Sequence, residues 1–177
     1  NRLGDDQADH GTAVAAIIAG RRDNAGTMGI APDAKIAVLR TSDYNHDTKT
    51  ESLYHDAEAI DYAAGAGIKI INRSLASRGS NGVLSAAVAR YAASGGLVVN
   101  AAGNSGQADP IDAVNVTDGN RDAWLFVVAL DPFVQSTYAL ASYSNKAGSM
   151  ADRTVTAVGT NYTTRIDGTV SGFSGTS

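Results

Sequence analysis

An α/β fold, a parallel sheet covered by helices on both faces, is what this sequence predicts, and three observations lead to it. Strand-like and helix-like segments alternate through residues 34–101, and strand, helix, strand, helix, strand in succession marks parallel strands joined by helical crossovers. The 177 residues give room for one domain with a real core, and 44% hydrophobic against 18% charged residues suits a globular interior and excludes disorder. Nineteen glycines beside three phenylalanines indicate tight turns and close packing of small side chains.

Residues 1–9 are polar, with Asp5, Asp6 and Asp9, and read as a loop. His10 then opens an alanine-rich helix to Gly20, with a small residue on nearly every turn, suited to tight packing inside the protein. Gly11 and Thr12 leave room beside the imidazole for another segment to approach. Residues 21–26 form a turn, and residues 34–40, AKIAVLR, read as a short buried strand. Thr48 and Glu51 match a capping box that opens a helix with Leu53, Ala57, Ile60 and Ala64 on one face, stopping at Gly65 or Gly67. His46 and His55 flank its start as exposed polar residues. A strand over 68–75, a helix with Leu84, Ala87, Val88 and Tyr91 in register, and a strand over 97–101 follow. Residues 107–123 are polar and read as a long surface loop. Strands are expected at 124–130 and 154–158, with an alternating segment at 138–144 between them. Asp167 and Gly168 mark a hairpin turn between 162–165 and 169–171, which delivers the chain to Ser177.

Several function classes drop out. A net charge of -4 gives no basic footprint for nucleic acid. No apolar run reaches the length of a membrane span. The absence of cysteine excludes disulfides and thiol catalysis. The Gly65/Gly67 pair precedes a strand and lacks a third glycine, so it is a helix stop and no dinucleotide fingerprint.

Three short motifs remain: HGT at His10, AAGNSG at residues 101–106 and SGTS at residues 174–177. In that order and near those spacings, with Gly29-Ile30-Ala31-Pro32 after the histidine helix, they resemble the subtilisin-like serine peptidases over nearly the whole chain. The resemblance implies a single partial peptidase domain over residues 1–177 with a subtilisin-like sheet. It implies Ser177 as nucleophile, His10 as the base that takes its proton, and Asn104 with the Ser177 N–H as donors to the developing oxyanion. It also implies Ser74, Leu75 and Ala76 with Ala101, Ala102 and Gly103 as walls of the primary specificity pocket, the first segment pairing with an extended peptide as an added strand. A polypeptide is therefore the expected substrate. Ala76 stands where the family has glycine, and its methyl group narrows the pocket.

The family's third catalytic group is an aspartate on a strand ahead of the histidine helix, between the strands that match 34–40 and 68–75. No residue here fills that place: Asp5 and Asp6 read as solvated acids, and Asp9 cannot turn back to the ring of its neighbour. The chain is thus expected to be an internal piece of the domain, lacking its first strands and the serine-bearing helix, with little turnover alone. No cofactor is implied, apart from a calcium ion that some members hold at the turn containing Asp23. Residues 141–148 look like secreted bacterial subtilases, including passengers of autotransporters, which implies an extracellular or cell-surface site. The rival reading is a non-catalytic module that binds peptides in the same cleft; retention of His10, Asn104 and Ser177 together speaks against it, since a dead site needs none of them.

Overall fold

The computed structural model describes residues 9–45, 50–53, 55–77, 79–131 and 139–177. In chain order the elements are α1 (His10–Ala19), β1 (Ser42–Asn45), β2 (Thr50–Leu53), α2 (Asp56–Gly65), β3 (Ile70–Arg73), α3 (Gly82–Ala93), β4 (Leu97–Ala101), β5 (Trp124–Leu130), β6 (Thr154–Val158), β7 (Thr160–Thr164) and β8 (Val170–Ser174). Three short 3₁₀ turns lie at Ile111–Asn115, Arg121–Ala123 and Gly148–Arg153. The chain forms two compact units, Asn1–Val38 with Thr160–Ser174, and Leu39–Gly159 with Gly175–Ser177.

In the first unit α1 begins at His10 as its composition predicts, but only Ala13 of its residues is buried. Its C-terminal carbonyls, which have no partner within the helix, are taken by the strap that follows. The Ile30 N–H donates to Ile17 O at 2.9 Å and the Ala31 N–H to Ile18 O at 2.7 Å. Gly29 donates to Gly20 O at 2.9 Å, and a Cβ at Gly29 would fall inside the backbone of residues 18–20, so only glycine permits this crossing. The predicted hairpin is present: β7 and β8 are antiparallel, with Thr160 opposite Ser174 and Thr164 opposite Val170. Asp167 Oδ1 accepts from the N–H and the hydroxyl of Thr169 across the turn.

The second unit holds a four-stranded parallel sheet in the order β3-β4-β5-β6. Strands β4, β5 and β6 have the bounds that the sequence predicts. Val98, Trp124 and Phe126 on one face of the sheet share a core with Ala57, Ile60 and Ala63 of α2 and Leu84, Ala87, Val88 and Tyr91 of α3. Trp124 and Phe126 stack at 5.6 Å between centroids, and each buried large side chain contributes about 1.5–3 kcal/mol. Asn81 caps α3, its Oδ1 accepting from the Val83 and Leu84 N–H groups.

Three expectations are corrected. Residues 34–40 are not a buried strand: they belong to none of the sheets of the described residues, Val38 is 77% exposed, and only Leu39 packs on the core. An apolar run becomes a strand only where a neighbour takes up its N–H and C=O groups. Thr50 and Glu51 do not open a helix but lie in β2, paired antiparallel with β1; Thr48, like His46, Asp5, Asp6 and Tyr138, lies outside the described residues. The helix starts at Asp56, after an exposed His55, with Asp56 and Glu58 in its first turn, where negative charge suits the helix dipole. It buries Ala57, Ile60 and Ala63, with the expected Ala64 partly buried against the same core, and Leu53 is not on it. Finally, 107–123 is no plain surface loop, since Asp112, Asn115 and Asn120 are buried. Burial is tolerated because their polar atoms are matched. Asn120 Oδ1, for example, accepts from Thr117 N–H at 2.8 Å and Trp124 Nε1–H at 3.2 Å.

Candidate active site

In the second unit the chain leaves β4 at Ala101 and bends through Ala102, Gly103 and Asn104. Gly103 has φ +108, and a Cβ there would collide with Ile111 and Asn145, so the bend requires glycine. The Gly103 N–H donates to Thr176 Oγ1 at 3.0 Å. Asn104 Oδ1 accepts from the Thr176 N–H at 3.0 Å and from its hydroxyl at 3.1 Å. A backbone N–H can only donate, so the amide must turn its oxygen to Thr176 and its Nδ2 away. Asn104 is exposed, and no described group accepts from that Nδ2–H₂. Thr176 itself is buried, and Ser177 beside it is exposed. Upstream, the Gly175 N–H donates to Gly159 O at 3.0 Å, an oxygen that also accepts the Tyr143 hydroxyl at 2.7 Å.

The bend is wrapped around one buried amide. Asn145 Oδ1 accepts from Ser105 N–H at 3.1 Å and Gln107 N–H at 3.0 Å, and its Nδ2 donates to Ala102 O at 3.0 Å and Asp109 O at 3.2 Å. Its own N–H donates to Gly103 O. Ser144 Oγ links this residue to β5, accepting from Ala129 N–H and donating to Asn145 O. Sequence reasoning did not give Asn145 this role; the only signal was an asparagine directly after an alternating segment.

Ser74, Leu75 and Ala76 follow β3 and are half-buried. Beneath them lies Arg73, buried and ion-paired with Asp56 at 2.6 Å and Asp112 at 2.8 Å. Burial pushes the Asp112 carboxyl up, but the Arg73 charge and the hydrogen bonds from Ser77 and Arg73 outweigh it and hold it below the usual carboxylate range. Burial likewise pulls Arg73 down, and the two carboxylates more than offset that. Neither Arg73 nor Asp112 stood out in the sequence, where both are single charges in unremarked positions.

His10 lies in the first unit and is exposed. Asp9, read from the sequence as a loop residue, is buried at φ 56. Its carboxylate meets Arg165 Nε at 2.6 Å and accepts the Ile166 N–H at 2.8 Å. Asp23 Oδ1 accepts from Ala25 N–H within its own exposed turn. Among the described residues no three His, Asp or Glu side chains gather to hold a metal, and no helix is long and apolar enough to cross a membrane.

Over residues 1–177 the chain matches the subtilase family of peptidases. It belongs to that family. Subtilisin Savinase of Lederbergia lenta is 32% identical over 156 residues, 78% of this chain and 56% of that protein. The minor extracellular protease Epr of Bacillus subtilis (strain 168) is 34% identical over 107 residues, 60% of this chain and 16% of that protein. Among solved structures, the S41 psychrophilic protease superposes with a TM-score of 0.74 at 29% identity, covering 94% of this chain and 58% of that one. This subtilase chain therefore spans just over half of Savinase and of the S41 structure. The α/β fold expected of a subtilase is the one observed, with its parallel sheet and packed helices.

Proposed function

We propose that this chain is the greater part of the catalytic domain of a serine endopeptidase that cleaves proteins outside a bacterial cell. The observation that carries the reading is the state of Asn104: Thr176, next to Ser177 in the chain, occupies its oxygen at 3.0 and 3.1 Å, which leaves its Nδ2–H₂ without an acceptor among the described residues. In this mechanism Ser177 Oγ attacks the scissile carbonyl while His10 takes its proton. The carbonyl oxygen, gaining charge, is met by Asn104 Nδ2–H and the Ser177 N–H. His10 then hands its proton to the leaving amine, and water releases the acyl group from Ser177. Ser74, Leu75 and Ala76 with Ala101, Ala102 and Gly103 hold the extended polypeptide, and the Ala76 methyl favours a slender side chain next to the cut bond. The steps use side chains and water only, with no cofactor. The net charge of -4 supports a protein substrate over nucleic acid. The extracellular site rests on relatives such as the B. subtilis extracellular protease.

Fluorophosphonate labelling with peptide mapping tests the reading. In the intact protein the label is expected on Ser177 and absent from Ser177→Ala. Asn104→Ala is expected to lower kcat on a peptide substrate by about 10²–10³ with little change in KM, the magnitude known from subtilisin's own oxyanion asparagine. Residues 1–177 expressed alone are expected to label poorly. Absence of label on Ser177 in the intact protein would sink the reading.

A further inference from the structure

The segment after β3 is held from below at every second residue. Arg73 is itself buried, Leu75 O accepts from Arg73 Nη1 at 3.3 Å, and Ser77 Oγ accepts from Arg73 Nη2 at 3.1 Å. The Ser77 N–H donates to Asp112 at 3.2 Å, the carboxylate that pairs with Arg73. In extended chain successive residues point to opposite sides. Contacts at 73, 75 and 77 on the inner side therefore turn the backbone groups of Ser74 and Ala76 to the outer side.

The inner anchor is built to stay put. The Arg73 side chain is 3% exposed, Asp112 0% and Asp56 13%. Asn100 of β4 accepts from Arg73 Nη1 at 2.8 Å, and Asn115 Nδ2 donates to Asp112 Oδ1 at 2.9 Å. A planar guanidinium with five N–H groups serves these acceptors together; an ammonium, with three donors on one atom, cannot span them.

We infer that Arg73 is a positioning residue for peptide binding: by fixing Leu75 and Ser77 inward it presents the backbone of Ser74 and Ala76 as a ready-made strand edge for an extended substrate. The inference rests on the peptidase reading above. Strand addition draws its affinity from such main-chain groups, and an edge already ordered loses little freedom on binding.

The test compares wild type with Arg73→Lys in the intact protein, on an acetyl ester, whose acyl group has no side chain for the pocket and no amide for the edge, and on a peptide with four residues on the acyl side. For the long substrate kcat/KM is expected to fall about tenfold through KM, the equivalent of roughly one strand hydrogen bond. The short ester, which does not reach the edge, is expected to keep its rate. Equal losses on both substrates, or loss on neither, would overturn the inference. If Arg73→Lys does not fold, Ser77→Ala, which removes one tether and leaves the ion pairs, is expected to give the same length-dependent loss in smaller measure. Amide hydrogen exchange keeps the two readings apart. If wild type takes no label at Ser177 the peptidase reading fails, whereas faster exchange at Ser77 in the variant, with β4 unchanged, still supports the tether. Unchanged exchange refutes it.

Discussion

Each unit ties down a functionally placed segment with an ion pair, and the two ties are built differently. In the second unit Arg73 and Asp112 are buried inside a network fed by β3, α2, β4 and the 3₁₀ turn at Ile111–Asn115. In the first, Asp9 is held by Arg165, whose side chain is 42% exposed, and by one backbone N–H. Asp9 also sits at φ 56, a conformation that costs an ordinary residue about 1–3 kcal/mol and an aspartate less. The tie in the second unit thus fixes its segment by burial on both sides. The tie in the first unit holds a strained residue next to His10 through an arginine that water reaches. The contrast implies that the segment after β3, proposed above to hold the substrate, is rigid and that the start of α1 is adjustable.

The sharpest way to break the comparison is Asp112→Ala. Removing one partner from a buried pair leaves Arg73 with uncompensated charge and should cost about 3–5 kcal/mol, read as a lowered midpoint in denaturant at unchanged slope. The pH dependence sharpens it further. The folded Asp112 pKa lies below its ordinary 3.8, so its contribution is complete above that value and is lost as pH falls through the folded pKa. Acid unfolding should therefore steepen below about pH 3.8 in wild type and be shallower in Asp112→Asn. An Asp112→Ala variant as stable as wild type would erase the distinction between the two ties.

Next in size is Asn145→Ala. It leaves the Ser105 and Gln107 N–H groups and the Ala102 and Asp109 carbonyls without their partner. Each orphaned buried group costs about 1–3 kcal/mol, partly relieved by water at the exposed end of the bend. The expected outcome is a loss of about 2–3 kcal/mol in stability, together with a fall in kcat, since the bend carries Asn104. Stability loss with kcat unchanged would mean that the Thr176 contacts alone orient Asn104.

Asn145 and Arg73 also show where the sequence ceased to be legible. The parallel strands and α3 were readable because their apolar residues repeat with the period of the element, as Leu84, Ala87, Val88 and Tyr91 do. The residues of the bend were readable through short motifs with chemistry of their own. The supports were not, because a buried arginine or asparagine has no local signature: the groups that make its burial tolerable include partners 17 to 43 residues away. Residues 34–40 failed for the converse reason, since their apolar character was plain and their place outside the sheets of the described residues was not. At residues 50–53 the local capping pattern lost to pairing with β1, a tertiary choice that helix-start chemistry cannot foresee.

The smallest expected effect belongs to the tie beside His10. Arg165→Met removes an ion pair whose arginine is 42% exposed but whose Asp9 carboxylate is buried, so a loss of about 1–2 kcal/mol is expected. It also removes the contact of the guanidinium over the Phe173 ring at 5.7 Å, which methionine partly replaces by packing. Stability should therefore fall, though by less than in Asn145→Ala. Asp9→Gly should be close to neutral, because glycine relieves the strain at φ 56 while the Arg165 and Ile166 contacts are lost. The two variants part company in activity: if the tie sets the direction of the imidazole, Asp9→Gly frees the backbone before His10 and lowers kcat, with KM held. Arg165→Met, which keeps the Ile166 bond, lowers it less. A stopped assay at matched stability separates these outcomes, and equal kcat in both variants would mean that α1 alone aims His10.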